Sequence, residues 1–231
     1  MYRSLNPEHI IRTIAQLRDR IQERFPNSGL SKVGAELHQI GTEAVDRSAW
    51  IARPLLPLRI AIGSLVALVG AIVLLALVSL KVSKLWESFA DFVQAVEAGI
   101  NDIVFIGITI FFLVTLEGRI KRRRALKAVH ELRALAHIID MHQLTKDPHA
   151  ITNPAGSTKS SPKRTLTDFE LSRYLDYCSE MLSLIGKVAA LYVQRFDDPV
   201  ALSAVDQIED LTTGLSRKIW QKIMIINQGK T

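Results

Sequence analysis

From Ile60 to Leu80 the chain runs for 21 residues without a charge. At ~1.5 Å of rise per residue such a helix is roughly 30 Å long, the thickness of a bilayer's hydrocarbon core. A simple soluble globule is therefore excluded, and the 48% hydrophobic content matters mainly because it is concentrated here. The 23% of charged residues is too much for a polytopic transporter, while 12 Gly and 8 Pro are too few for a disordered or collagen-like chain. Cys178 stands alone, so it makes no internal disulfide or thiolate cluster and fits a reducing compartment. The first 25 residues scatter Arg3, Arg12, Arg18, Arg20 and Arg24 along a periodic segment with no continuous apolar core. No cleaved signal is expected there, and the later apolar run reads as an uncleaved anchor.

The first crossing is expected over residues 58–80, with Pro54 and Pro57 at its start and Trp50 placed as an interfacial anchor. The second is less clean. Only 14 uncharged residues lie between Asp102 and Glu117, which span roughly 21 Å as a helix. A full crossing over 96–116 has to take in Glu97, Asn101 and Asp102 at its outer boundary. Polar positions Lys84, Glu87, Asp91, Gln94, Glu97 and Asn101 recur every three or four residues, as do apolar Leu85, Phe89, Val93, Val96 and Ile100. That pattern predicts an amphipathic connector over 82–101 running straight into the second crossing.

Basic residues set the direction. Arg119, Lys121, Arg122, Arg123, Arg124 and Lys127 place six cations within 117–127, whereas 81–102 holds two lysines against four acids. The positive-inside rule puts both termini in the cytoplasm and the connector outside, in the cell (inner) membrane.

The expected architecture is all-α: a two-pass transmembrane helical hairpin with a cytoplasmic helical bundle that ends in a coiled-coil-like αα-hairpin. Residues 1–53 read as a helix pair. Asn6-Pro7-Glu8 opens the first helix, Ile10, Ile14, Leu17, Ile21 and Phe25 stripe it, and Pro26-Asn27-Ser28-Gly29 closes it. Ser31 is expected to cap the second helix, which carries Val33, Leu37, Ile40 and Ala44. Residues 54–117 hold the two crossings, 118–145 a juxtamembrane helix striped by Ala125, Val129, Leu132, Ala136 and Ile139, and 146–165 a linker rich in Pro, Ser and Thr. In 166–231, Thr167-Asp168-Phe169-Glu170 fits a capping box, with Leu166 and Leu171 as its staple. Leu171, Leu175, Cys178, Leu182, Ile185, Ala189, Tyr192 and Phe196 then alternate steps of four and three. The Asp197-Asp198-Pro199 turn leads to an antiparallel partner helix, giving a three-helix bundle or a coiled coil shared between subunits.

Chemistry is sparse. His137 and Asp140, with His130 seven residues before, are candidate metal ligands, but three or four converging groups are needed and no H-E-x-x-H motif occurs. No cofactor is expected. The six cations of 119–127 suit anionic lipid headgroups, and nucleic acid is not expected because the run abuts a membrane segment and lacks interleaved aromatics. Glu97, Asn101 and Asp102 are candidates for an outer pore mouth. Gly63, Ala67, Gly70 and Ala71 form a small-residue stripe for close packing within or between subunits. Leu171, Leu175, Leu182, Ile185, Tyr192 and Phe196 are the candidate oligomerisation seam. Ser157 to Lys163 lacks the glycines of a phosphate-binding loop and suits a modifiable linker. The expected function is non-catalytic: a two-pass anchor displaying a helical bundle for homo-oligomerisation or docking of a cytoplasmic protein. A pore-forming oligomer is the alternative, and a metal-dependent membrane enzyme the second.

Overall fold

Four of the helices begin where side chains supply what the first turn lacks. In a computed structural model of the protein, which describes residues 4–79, 89–146, 159 and 165–228, Asn6 Oδ1 accepts the N–H groups of Glu8 at 2.9 Å and His9 at 3.3 Å and opens α1, Pro7–Arg24. α1 stops before a turn in which Asn27 takes a left-handed φ of 57°, a conformation asparagine tolerates better than most residues. The second helix, α2, is Gly29–Ala52. Its cap is Ser28, not the expected Ser31: Ser28 Oγ accepts the Ser31 N–H at 3.1 Å, and Ser31 is buried one turn in, its hydroxyl donating back to the Ser28 carbonyl. Then come α3, Leu56–Ser79, and α4, Phe89–Leu144, unbroken over 56 residues. The capping box forms as expected, with Thr167 and Glu170 bonded reciprocally, and starts α5, Asp168–Leu191. The last helix, α6, is Pro199–Gln228, and Asp198 caps it by accepting the N–H groups of Val200 and Ala201. All regular structure among the described residues is helical. Residues 82–88 of the expected connector and most of the 146–165 linker, including Ser157 and Lys163, lie outside the described residues.

The chain forms two compact units, one of residues 1–52 with 122–231 and one of 53–121. In the first, α5 is the centre. Its 4–3 stripe is buried, and so are Tyr174, Tyr177, Met181, Leu184 and Val188 off that stripe. A helix buried round most of its circumference has neighbours on several sides. α1 lies against it antiparallel, as Leu5 with Gln194, Arg20 with Glu180 and Arg24 with Tyr177 show. α2 returns along α1 so closely that a Cβ on Gly41 would meet Ile14 Cδ1 at 3.0 Å and Ile11 Cδ1 at 3.1 Å. The bundle half of α4 runs antiparallel to α2, through Arg124 over Trp50 and Arg47 with Glu131. It runs parallel to α6, through Arg122 with Asp198, Arg133 with Gln207 and the Gln143 carbonyl with Lys222. The N-terminal pair and the C-terminal helices thus share one core of five helical segments, not a three-helix bundle with a separate pair. α5 ends at Leu191, and Tyr192 and Phe196 belong to the turn before α6.

The second unit behaves differently. α3 and α4 each contain a stretch long and apolar enough to cross a membrane. No described residue from Leu56 to Val78 or from Phe92 to Ile120 is buried. Ile60, Ile103 and Phe105 are 70%, 72% and 70% exposed, whereas Leu132, Leu175 and Ile185 in the first unit are 0% exposed. Leu65, Val66 and Val69 of α3 line an apolar groove of about 230 Å³ with Phe105, Ile106, Thr109, Ile110 and Leu113 of α4. At one end, Glu117 accepts from Arg59 Nε at 2.6 Å, from Lys121 Nζ at 2.8 Å and from the Leu55 N–H at 3.3 Å.

Candidate functional site

Trp50, Arg122, Arg124, Tyr192 and Phe196, all singled out by sequence, lie at one end of the five-helix unit. Ala52, Arg122, the 192–198 turn and the start of α1 all lie there, as Trp50 under Arg124 and Asp198 beside Arg122 require. The basic run is largely engaged within the chain. Arg119 lies 4.8 Å from the Phe112 ring centroid and buried Lys121 is bonded to Glu117. Arg122 gives Nε and Nη2 to Asp198 Oδ2 at 2.8 and 2.7 Å, and Arg124 stacks 3.7 Å over Trp50. Only Arg123 and Lys127 of the six are exposed without a partner among the described residues. The surface expected for headgroups is accordingly narrower than the run.

Asp198 is the hub of this end. Burial pushes its carboxyl up, but the Arg122 guanidinium and the N–H groups of Ala201 and Val200 outweigh that and hold it below the usual carboxylate range. Nearby, Arg47 bridges Glu131 at 2.5 Å and Glu43 at 2.6 Å. The Tyr192 hydroxyl is buried with no hydrogen-bond partner among the described residues, and burial, against the pull of Arg47, pushes it up to about 12. Between α1, α2 and the end of α5 opens a cavity of about 410 Å³ lined by residues 4–8, by Val45, Ser48, Ala49 and Ala52, and by Leu191, Gln194 and Arg195. The Gln194 amide anchors the segment before α1, accepting the Leu5 N–H at 3.1 Å and donating to the Leu5 carbonyl at 3.2 Å. Neither Glu8 nor Arg195, both on the cavity wall, has an ion-pair partner among the described residues.

At the opposite end, Lys222 Nζ donates to the carbonyls of Gln143 at 2.8 Å and Lys146 at 3.3 Å, satisfying acceptors left over where α4 stops. Cys178 is enclosed beneath, and burial pushes its thiol up to about 12. A thiol so shifted is neither a nucleophile nor a ligand at neutral pH.

The remaining candidates are placed as follows. His130 and His137 are exposed, Asp140 accepts from Gln143 Nε2 at 2.6 Å, and among the described residues no three His, Cys, Asp or Glu side chains converge to hold a metal. Leu171, Leu175, Leu182, Ile185 and Tyr192 are buried inside the single chain, and Phe196 packs partly buried against the same core. Their periodicity is accounted for by α1, α2 and α6, so they do not present a seam to a second copy. Glu97, Asn101 and Asp102 are exposed along α4. Gly63, Ala67, Gly70 and Ala71 are also exposed, and a Cβ on Gly63 or Gly70 would meet nothing within 4 Å. The α3 residues of the groove are instead Leu65, Val66 and Val69. The long-range pairing of Arg122 with Asp198 was missed in the sequence, since nothing in 119–127 marks a partner 76 residues away. No protein-family model matches the chain, and neither a curated protein nor a solved structure matches it.

Proposed function

We propose that the protein is a non-catalytic, two-pass integral membrane protein. In this proposal α3 and the 96–116 part of α4 cross the cell (inner) membrane as a hairpin, and both termini are cytoplasmic. The five-helix unit is then a cytoplasmic module displayed for docking a protein partner. One observation carries this: Ile60, Ile103, Phe105 and their neighbours are exposed in a chain whose other unit has a complete core of its own. Apolar helices uncovered on nearly every side are stable in lipid and not in water, where contiguous apolar patches of this extent are not tolerated. The surplus of basic residues over 117–127 supports the orientation. Exposed Trp220 and Met224 on α6 and Met141 on α4 support a docking role, since large apolar side chains are enriched at interfaces.

Cysteine accessibility tests it. In a Cys178→Ala background, Ser83→Cys is labelled by an impermeant maleimide from outside intact cells, and Lys218→Cys only after permeabilisation. The opposite pattern, or extraction of the protein by alkaline carbonate, overturns the topology or the insertion respectively.

The second proposal is a pore-forming oligomer, favoured by the exposure of Glu97, Asn101 and Asp102 at the start of the apolar part of α4. It requires cation conductance from reconstituted protein that falls with Asp102→Asn; silence in planar bilayers ends it.

A further inference from the structure

Two unpaired and opposite charges face one cavity. Glu8, in the first turn of α1, and Arg195, in the turn after α5, both line the ~410 Å³ space floored by Ser48, Ala49 and Leu191, and they do not pair with each other or with another described residue. Elsewhere at this end Arg47 pairs with Glu43 and Glu131, and Arg122 with Asp198. An exposed acid and an exposed base that line one pocket are complementary to a molecule that carries both charges itself. The volume lies in the range of small-molecule sites, large enough for a phosphate, an ammonium and the short chain between them. The walls suit such a guest, because the Ser48 hydroxyl oxygen, whose proton goes to the Val45 carbonyl, can still accept, while Ala49 and Leu191 take its carbon skeleton. Gln194 also braces the wall by holding the Leu5 backbone, so the cavity is shaped before any ligand arrives.

We propose that this cavity binds a small zwitterion, its ammonium set against Glu8 and its phosphate against Arg195, and that the occupant is the headgroup of a zwitterionic phospholipid such as phosphatidylethanolamine. The lipid source rests on the membrane topology proposed above; the zwitterion chemistry does not. The source follows from position: the cavity includes Ala52, where the chain leaves the five-helix unit for α3, and lies at the same end as Arg122. Anionic lipid alone would satisfy Arg195 and leave a carboxylate facing phosphate.

The test uses the full chain in detergent and then in nanodiscs. In detergent, O-phosphoethanolamine binds about tenfold more tightly than glycerol phosphate, which lacks the ammonium. Glu8→Gln removes that preference, and Arg195→Gln weakens both compounds about tenfold, with helical circular dichroism unchanged in each variant. Equal binding of the two compounds, or binding indifferent to both substitutions, overturns the site. In nanodiscs, phosphatidylethanolamine raises the unfolding midpoint above that in phosphatidylglycerol for the wild type and not for Glu8→Gln. Binding of the free compound without any lipid preference overturns the headgroup as occupant. A chain that binds O-phosphoethanolamine but enters no bilayer overturns the proposed topology and the headgroup source, and leaves the zwitterion site standing.

Discussion

The five-helix unit and the apolar pair are built from the same kinds of residue and treat them in opposite ways. Leu, Ile and Val in the bundle occupy stripes, with charged residues between them, and the stripes are buried. In α3 the same residues run round the whole circumference and are exposed. A stripe declares a neighbour on one side, whereas an all-round distribution declares a medium. Polar contacts divide the same way. Ion pairs among the described residues of the bundle are spread over its helices, some local, as Arg47 with Glu43, and some remote, as Arg20 with Glu180 and Arg122 with Asp198, while those of the apolar pair cluster at one end on Glu117.

The contrast can be broken by substitutions that leave the chain length alone. Leu175→Ala, at the centre of α5, should cost ~2–5 kcal/mol of bundle stability, and Leu74→Ala on α3 less than about 0.5 kcal/mol, both measured by denaturant titration in mild detergent. Equal costs would mean that the two units draw on one core. Gly41→Val forces methyl groups onto Ile14 and Ile11 and should cost about 1–3 kcal/mol, while Gly63→Val, with open space around it, should leave the unfolding midpoint unchanged. Asp198→Ala removes the α6 cap and the Arg122 contact together, for about 1–2 kcal/mol; Asp198→Asn keeps a cap and should recover part of it.

Acid provides a gentler probe. Asp198 and Glu170 are both held below their ordinary pKa, Asp198 by Arg122 and two N–H groups against burial, Glu170 by the Thr167 N–H and hydroxyl. A folded-state pKa lower than the unfolded one contributes stability that is present above the unfolded value. That contribution is lost as pH falls from the ordinary carboxylate range through the depressed folded values. The bundle's unfolding midpoint should therefore drop over that window, and drop less in Asp198→Asn. Smallest is a null effect: at pH 8 the native protein should take up no maleimide at Cys178, and unfolded protein one equivalent.

Local signals were legible. Asn6, the Thr167 capping box, the end of the long helix at Leu144 and the direct continuation of the amphipathic segment into the apolar one were all written in spacing. Ser28 and Ser31 could not be told apart, because either hydroxyl can cap, and the choice fell to burial of Ser31. The stripe from Leu171 to Ala189 was right as a buried face and silent about what buries it, since periodicity reports a neighbour and not its identity. It also overran: Tyr192 and Phe196 keep the phase but sit in a turn. The basic run was silent in the same way, because the carboxylate that pairs Arg122 and the indole under Arg124 lie in other segments. Glu8 was legible only as the acid of a helix's first turn and Arg195 not at all, and only the packing of α1 beside the end of α5 sets them on one cavity.

Because α1 and α2 complete their core on α5, the bundle cannot be finished in the order in which it is made. Residues 53–167 separate Ala52 from Asp168. At ~5–20 residues per second of synthesis, roughly 6–23 s pass between the appearance of the first helix pair and that of its central partner. Through that interval Ile10, Ile14, Leu17 and Ile21 have only α2 to cover them. A nascent chain caught there should be the form that chaperones grip, and a separately supplied 165–231 fragment should release it.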